Sequence, residues 1–433
     1  MTEPVAADAN TLPRPPATFR WAVLFFVSLA MFGNYYVYDS IAPLADVLKE
    51  TLGFTDINIG TLNAIYSLPN VIMVLIGGII IDRIGTRRST TLFAVICMLG
   101  AVVTASSESF YVMAAGRLIF GLGAESLIVA VTVALARWFR GKELSFAFGI
   151  NLTLARAGSF AADWSPTWFR GAYENWRGPL LIALVFAFVS LIGAAVYWIL
   201  EARAVGRYQI SSAEKTEKPS LGELFKFGKS YIYIVLLCVT FYSAVFPFRT
   251  FAIKFFQEYH GVTREVGGQL NSILIVAAMI CTPLFGLLVD YVGKRALFMM
   301  YGSLLMVPVY LMMVYSSLPL WVPMAMLGIA FSLIPAVMWP SVAYIVEEKR
   351  LGTAYGLMTM IQNIGLALFN WMIGAVNTAS DASAANPGGH IPGMWIFSVL
   401  GLFGFLFAWL LRKQETGPDA HGLETITARS SKG

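Results

Sequence analysis

A chain of 433 residues that is 58% hydrophobic and only 13% charged falls outside the composition of soluble domains, in which about a quarter of residues are charged. Its net charge of +5 would suit a nucleic-acid partner only if the basic residues were gathered together, and here they are dispersed between long apolar runs. Composition and charge placement therefore exclude a soluble enzyme and a nucleic-acid-binding protein.

In chain order, residues 1–19 are polar and Pro-rich and lack the n-region, h-region and cleavage site of a signal peptide. They read as a disordered cytoplasmic N-terminus. Twelve apolar runs follow, at 20–45, 58–81, 89–107, 109–136, 143–169, 178–202, 229–257, 266–290, 296–316, 319–346, 351–378 and 392–412. A bilayer core needs roughly 20 residues of helix, and none of the runs alternates with the period of two expected of barrel strands. The sequence predicts an all-α membrane protein of twelve transmembrane helices, the lipid bilayer being its first partner. Polar residues 203–228 divide it into six-helix halves at 20–202 and 229–412, and the polar tail 413–433 is expected to be disordered.

Basic residues occupy every second connection: Arg83, Arg87 and Arg88 after the second run, Arg137, Arg140 and Lys142 after the fourth, Lys215, Lys218, Lys226 and Lys229 before or at the seventh, Arg412 and Lys413 after the twelfth. The positive-inside rule then places both termini in the cytoplasm. Cys97, Cys238 and Cys281 lie inside apolar runs without disulfide or metal spacing. His260, His390 and His421 lie in connections or the tail, so no run holds a histidine for a proton relay, metal site or catalytic triad. "GELFKFGKS" (222–230) misses P-loop spacing, which argues against ATP-driven transport. No catalytic residue, metal or cofactor is expected.

The two halves repeat one another. Gly78, Asp82 and Gly85 of "GIIIDRIGTRR" recur as Gly286, Asp290 and Gly293 of "GLLVDYVGKR", and Lys142, Leu144, Ala147, Gly149 and Gly158 recur as Lys349, Leu351, Ala354, Gly356 and Gly365. Parallel repeats joined by a long connection characterise one class of secondary transporter. "GIIIDRIGTRR" resembles the signature loop between the second and third helices of the major facilitator superfamily. That resemblance implies two bundles rocking about a central cavity. An Asp at a helix end can pair with loop cations and cap the next helix, so Asp82, Arg83, Arg87, Asp290 and Lys294 are expected to act in gating.

Further segments narrow the resemblance. "FGLGAES", "WFRGKELSFAFG" and "ARAGS" (120–159), "YSLPN" (66–70), "FYSAVFPF" (241–248), "LFGLLVD" (284–290), "MWPSVAYIV" (338–346), and "LGTAYGLM" with "IQNIGLA" (351–367) are similar to the branch of the superfamily that holds the lysosomal dipeptide transporters of animals. The branch implies a dipeptide carrier, with facilitated uniport as its mode. The sequence has no acidic dileucine sorting motif, and its one N-x-[ST] match, "NLT" (151–153), lies inside a run. It reads as a bacterial relative in an inner (plasma) membrane.

Glu125, in "GLGAESLIVA", and Arg156 are charges within apolar runs, each about a dozen residues from the short connection 137–143 and so at similar depth. A charge there usually faces a cavity or a partner. A purely structural salt bridge is the competing reading, but buried pairs stabilise poorly, and the second half has Leu333 and Asn363 in these slots. The resemblance implies that Arg156 clamps the peptide carboxylate through its planar fork and Glu125 the peptide ammonium, the two neutralising each other when the carrier is empty. Tyr38, Asp39, Tyr66, Asn70, Asn151, Tyr242, Trp339, Gln362 and Asn363 are the candidates around them. Arg117, in "GRLIFG", resembles the arginine of the R-x-x-Q-G motif of proton-coupled members, with Phe120 in place of its glutamine. Arg249 and Asp163 are charges nearer the outer side, suited to gating or to cavity electrostatics. A proton on Glu125 or Asp39 is the alternative coupling. The rival functions are a proton-coupled organic-anion carrier using Arg156 alone, and a membrane sensor or scaffold that has lost transport. The chain is expected to act as a monomer, with an accessory subunit left open.

Overall fold

The computed structural model of the chain describes residues 13, 15–139, 144–208, 227–347, 350–418 and 420–427. Residues 1–12, the 209–226 part of the expected linker and the last six residues of the tail lie outside the described residues.

The helices are α1 (Ala17–Asp39), α2 (Ala45–Leu52), α3 (Asp56–Ile84), α4 (Thr86–Ser106), α5 (Phe110–Phe139), α6 (Leu144–Trp168), α7 (Arg177–Ala204), α8 (Lys229–His260), α9 (Arg264–Val292), α10 (Arg295–Tyr315), α11 (Trp321–Ile345), α12 (Leu351–Ala379) and α13 (Ile391–Glu415). Ten of them, counting α1 and α2 as one span, are long and apolar enough to cross a membrane, and the bent α3 makes an eleventh. The exception, α6, is long enough but polar. Its Asn151, Ser159, Asp163 and Ser165 are all buried, so packing inside the protein, rather than lipid, accommodates its polarity.

The repeat read from the signature loops extends to the helix ends. Thr55 and Thr263 accept a backbone N–H at the starts of α3 and α9. Gly85 and Gly293 end those helices at φ +81° and +72°, a backbone region that favours glycine. The same residue types at matching positions thus stop and restart the chain in both halves.

In the first half α1 packs on α6 and α7, α5 on α3 and α4, and α4 on α7. In the second, α8 packs on α12 and α13, α10 on α11 and α13, and α9 on α11. Across the halves, α3 meets α12 and α6 meets α9. These crossings depend on two glycines at the face opposite the basic connections. A Cβ on Gly60 would lie under 3.0 Å from the Asn370 carbonyl, and one on Gly268 under 3.0 Å from the Asp163 carbonyl. At the basic face, a Cβ on Gly78, Gly149 or Gly286 would meet nothing within 4 Å among the described residues. Among the described residues, the halves are closed together at one face and parted at the other.

The tail departs from expectation. Helix α13 runs on to Glu415, and 420–427 fold back against the start of α10, with Leu423 fully buried. Glu424 accepts the Ala296 N–H at 2.8 Å through its carboxylate and the Lys294 N–H at 3.2 Å through its carbonyl. Unsatisfied donors at a helix start draw a carboxylate, and that contact orders a segment whose composition reads as disordered.

Candidate functional site

A cavity of about 260 Å3 lies between the halves. Helix α5 brings Glu125 to it and α6 brings Arg156, while α1 supplies Tyr38 and α3 Tyr66. The second half lines it with Tyr242 from α8, Trp339 from α11, and Gln362 and Asn363 from α12. Asn34, Tyr35, Ile128, Phe246, Thr359 and Leu366 complete the lining and were missed by sequence reasoning. Helical spacing carried the signal for most of them. Tyr35 precedes Tyr38 by three residues, Phe246 follows Tyr242 by four, and Thr359 precedes Gln362 by three, so each shares a face with a residue already chosen.

The two halves present different chemistry. Both charges come from the first half, and among the described residues neither Glu125 nor Arg156 has a hydrogen-bond or ion-pair partner. The expected neutralising pair is therefore not formed. Arg156 instead lies over the Phe331 ring at 5.0 Å and the Tyr35 ring at 5.9 Å from their centroids. Aromatic faces attract a guanidinium without consuming its N–H donors. The hydroxyls of Tyr35 and Tyr38 are likewise unpartnered among the described residues, that of Tyr66 is hydrogen-bonded to the Asn70 side chain, and Tyr35 feels the charges of both Arg156 and Glu125. The polar groups of the second half are more engaged. Trp339 Nε1 donates to Tyr242 Oη at 3.0 Å, Asn363 Nδ2 to the Thr359 carbonyl at 3.0 Å, and Cys238 Sγ to Gln362 Oε1 at 3.5 Å.

Three candidates lie elsewhere. Asp39 accepts from Arg249 Nη1 at 3.0 Å, and Arg249 Nη2 donates to Asp163 at 3.0 Å. Asp39 thus belongs to a buried network beside a separate void of about 10 Å3, because a buried carboxylate is drawn to the nearest buried cation. Asn70, fully buried, donates across the halves to Asn363 Oδ1 at 3.4 Å. Asn151, also buried, accepts the Ser28 hydroxyl at 3.0 Å. Both are tied up in packing and do not line the cavity.

Of the expected gating residues, Asp82 and Arg83 are exposed and Arg87 is half-buried. Asp82 makes no ion pair among the described residues. In the second half Asp290 pairs with Arg295 at 3.0 Å, while Lys294 sits at φ +49° at the start of α10. The partner of Asp290 is therefore the residue after the lysine chosen from sequence. The left-handed turn at Lys294 sets the geometry in which the following arginine reaches back to the carboxylate.

The family model described as Major Facilitator Superfamily matches residues 24–369 and 235–431. The chain belongs to the Major Facilitator Superfamily. It is accordingly a multi-pass membrane protein of a transporter family, not an enzyme. It is 33% identical over 370 residues to the lysosomal dipeptide transporter MFSD1 of Danio rerio, covering 82% of this chain and 80% of that protein. To the Mus musculus protein of the same name it is 34% identical over the same shares. In fold it is similar to the crystal structure of a bacterial homologue of the human lysosomal transporter Spinster, with a TM-score of 0.70 at 16% identity, covering 92% of this chain and 98% of that one.

Proposed function

We propose that this superfamily member carries dipeptides across a membrane by alternating access, as a facilitated uniporter. The observation that carries this reading is the central cavity, where, among the described residues, one carboxylate and one guanidinium stand unpaired beside three tyrosines. A dipeptide zwitterion offers the complementary ammonium and carboxylate. Ligand pockets commonly span ~300–1,000 Å3, so a cavity of about 260 Å3 suits a small substrate better than a long peptide. The likeness to dipeptide transporters supports the same substrate class.

In this reading residues 20–202 and 229–412 are two six-helix bundles, with α6 as the twelfth span and both termini in the cytoplasm of a cell bounded by a plasma membrane. The conformation described is closed to the outside. Asp82, Arg83, Arg87, Asp290 and Lys294 come together when the cytoplasmic side closes in its turn. The chain works as a monomer.

Because Arg156 is not neutralised by Glu125, it is also available to a simple carboxylate, and this favours a second reading as a proton-coupled organic-anion carrier. Uptake of alanyl-alanine into proteoliposomes, with and without an imposed pH gradient, separates the two. Saturable uptake that runs down the peptide gradient and ignores the pH gradient is expected. Uptake of monocarboxylates driven by the pH gradient, with none of the dipeptide, would replace the first reading by the second.

A further inference from the structure

Arg117 lies behind the cavity wall, 2% exposed, and does not line the cavity. A buried guanidinium normally demands a carboxylate. Here, among the described residues, its hydrogen-bond partners are all neutral. Nε donates to the Leu62 carbonyl at 3.3 Å, Nη1 to the Val37 carbonyl at 3.1 Å, and Nη2 to the Tyr38 carbonyl at 3.2 Å and to Asn63 Oδ1 at 3.1 Å.

Val37 and Tyr38 belong to the last turn of α1, where helix carbonyls have no partner within the helix. Leu62 and Asn63 lie on α3, one turn before Tyr66. One rigid fork from α5 therefore ties the end of α1 to the first third of α3. It also lies 5.5 Å from the Tyr66 ring centroid, and the Tyr38 and Tyr66 rings are 4.7 Å apart. Both residues line the cavity, the Tyr38 hydroxyl without a partner among the described residues and the Tyr66 hydroxyl held by the Asn70 side chain.

We infer that Arg117 is a positioning residue for substrate recognition. It holds Tyr38 and Tyr66 at the spacing their hydroxyls need to bind the substrate's polar backbone, and it makes no contact with substrate itself. The inference rests on the dipeptide reading above. Its physical content is geometric. The planar fork meets four acceptors from two helices, whereas a lysine keeps the charge but has one nitrogen and three donors. If charge alone mattered, Arg117→Lys would be silent.

The test is a double-mutant cycle read by thermal-shift titration of the full chain in detergent with alanyl-alanine, a ligand for the native state raising apparent stability with concentration. Arg117→Lys is expected to weaken apparent affinity about fivefold or more in the wild-type background, and less than about twofold in a Tyr38→Phe/Tyr66→Phe background, because coupled residues are non-additive. Asn63→Ala, which removes one of the four anchors, is expected to give a smaller loss with the same non-additivity, and serves if Arg117→Lys does not fold. In transport the loss should appear in KM more than in the maximal rate. Equal losses in both backgrounds, or an unliganded melting temperature that falls while affinity stays unchanged, would overturn the inference and leave the dipeptide reading standing. A wild type that fails to respond to alanyl-alanine would overturn both.

Discussion

At the scale of single residues, the informative feature is that two opposite charges share a cavity without meeting. Glu125 and Arg156 are each left facing open space, with Arg156 lodged on aromatic rings. A substrate then gains two charge-assisted hydrogen-bonded contacts without first breaking an ion pair. Such bonds are worth about 1.5–3 kcal/mol each, and every 1.4 kcal/mol is about tenfold in affinity. Glu125→Gln should therefore weaken alanyl-alanine binding by about 10- to 100-fold while leaving N-acetylated alanyl-alanine, which has no ammonium, little changed. Arg156→Ala should abolish the response to both. A thermal-shift titration reads both outcomes, and equal loss of the two ligands in Glu125→Gln would remove that residue from the ammonium site. These two residues were legible from sequence because charges are rare in apolar runs. Asp39 was equally conspicuous and was misplaced, since its partner Arg249 lies 210 positions away and nothing local announces it.

At the scale of elements, the crossings of α3 on α12 and α6 on α9 are the joints of the closed face. Gly60 and Gly268 occupy equivalent places in α3 and α9, and each lets its helix reach the carbonyl of a residue in the other half, Asn370 and Asp163 respectively. A side chain cannot occupy space that is under 3.0 Å from a backbone atom without parting the helices. Gly60→Val and Gly268→Val should accordingly disfavour closure at this face. Proteoliposome uptake is expected to fall about tenfold or more. A cysteine placed at Ala42, beside the small void at this face, should become more reactive to a membrane-impermeant thiol reagent added outside. Unchanged labelling would show that the crossing tolerates the extra bulk. The tail is a second case. Glu424 satisfies donors at the start of α10, so Glu424→Ala should cost about 1 kcal/mol, as helix-cap losses do, seen as a lower melting temperature with dipeptide affinity unchanged.

At the scale of the molecule, the ion pairs between described residues that cross the halves gather at one face. Besides Asp39–Arg249–Asp163, they are Asp56–Lys254 at 2.7 Å, Lys49–Glu258 at 3.3 Å, Asp46–Arg264 at 2.6 Å and Arg170–Glu265 at 2.6 Å. At the basic face, the pairs Arg137–Glu201, Asp290–Arg295 and Arg412–Glu424, and the Glu415–His421 contact, each stay within one half. Removing one member of a buried pair leaves an uncompensated charge and costs about 3–5 kcal/mol. That cost falls on the closed face, and opening there relieves it because the separated network can be hydrated. Arg249→Ala should therefore shift the population toward an outward-open form. Spin labels at Ser107 and Ser317, in connections of the two halves at this face, should report a longer distance distribution in the variant. An unchanged distribution would assign Arg249 to cavity electrostatics instead.

The sequence by itself determined the medium, the helices and the repeat. Apolar runs, basic connections and glycines at helix stops are local consequences of lipid solvation and backbone sterics, and they can be read without knowing what any helix touches. Two of the cavity's central residues and six around them were legible for a related reason: a polar or aromatic side chain inside an apolar run needs an explanation nearby. Only the tertiary structure decided which charges pair. It bound Asp39 to Arg249, left Glu125 and Arg156 apart, set Arg295 rather than Lys294 against Asp290, and laid the tail on α10. Each of these depends on groups brought together from distant positions or on the backbone turn between neighbours. Coulomb attraction and hydrogen bonding act over a few ångströms in space, whatever the separation along the chain.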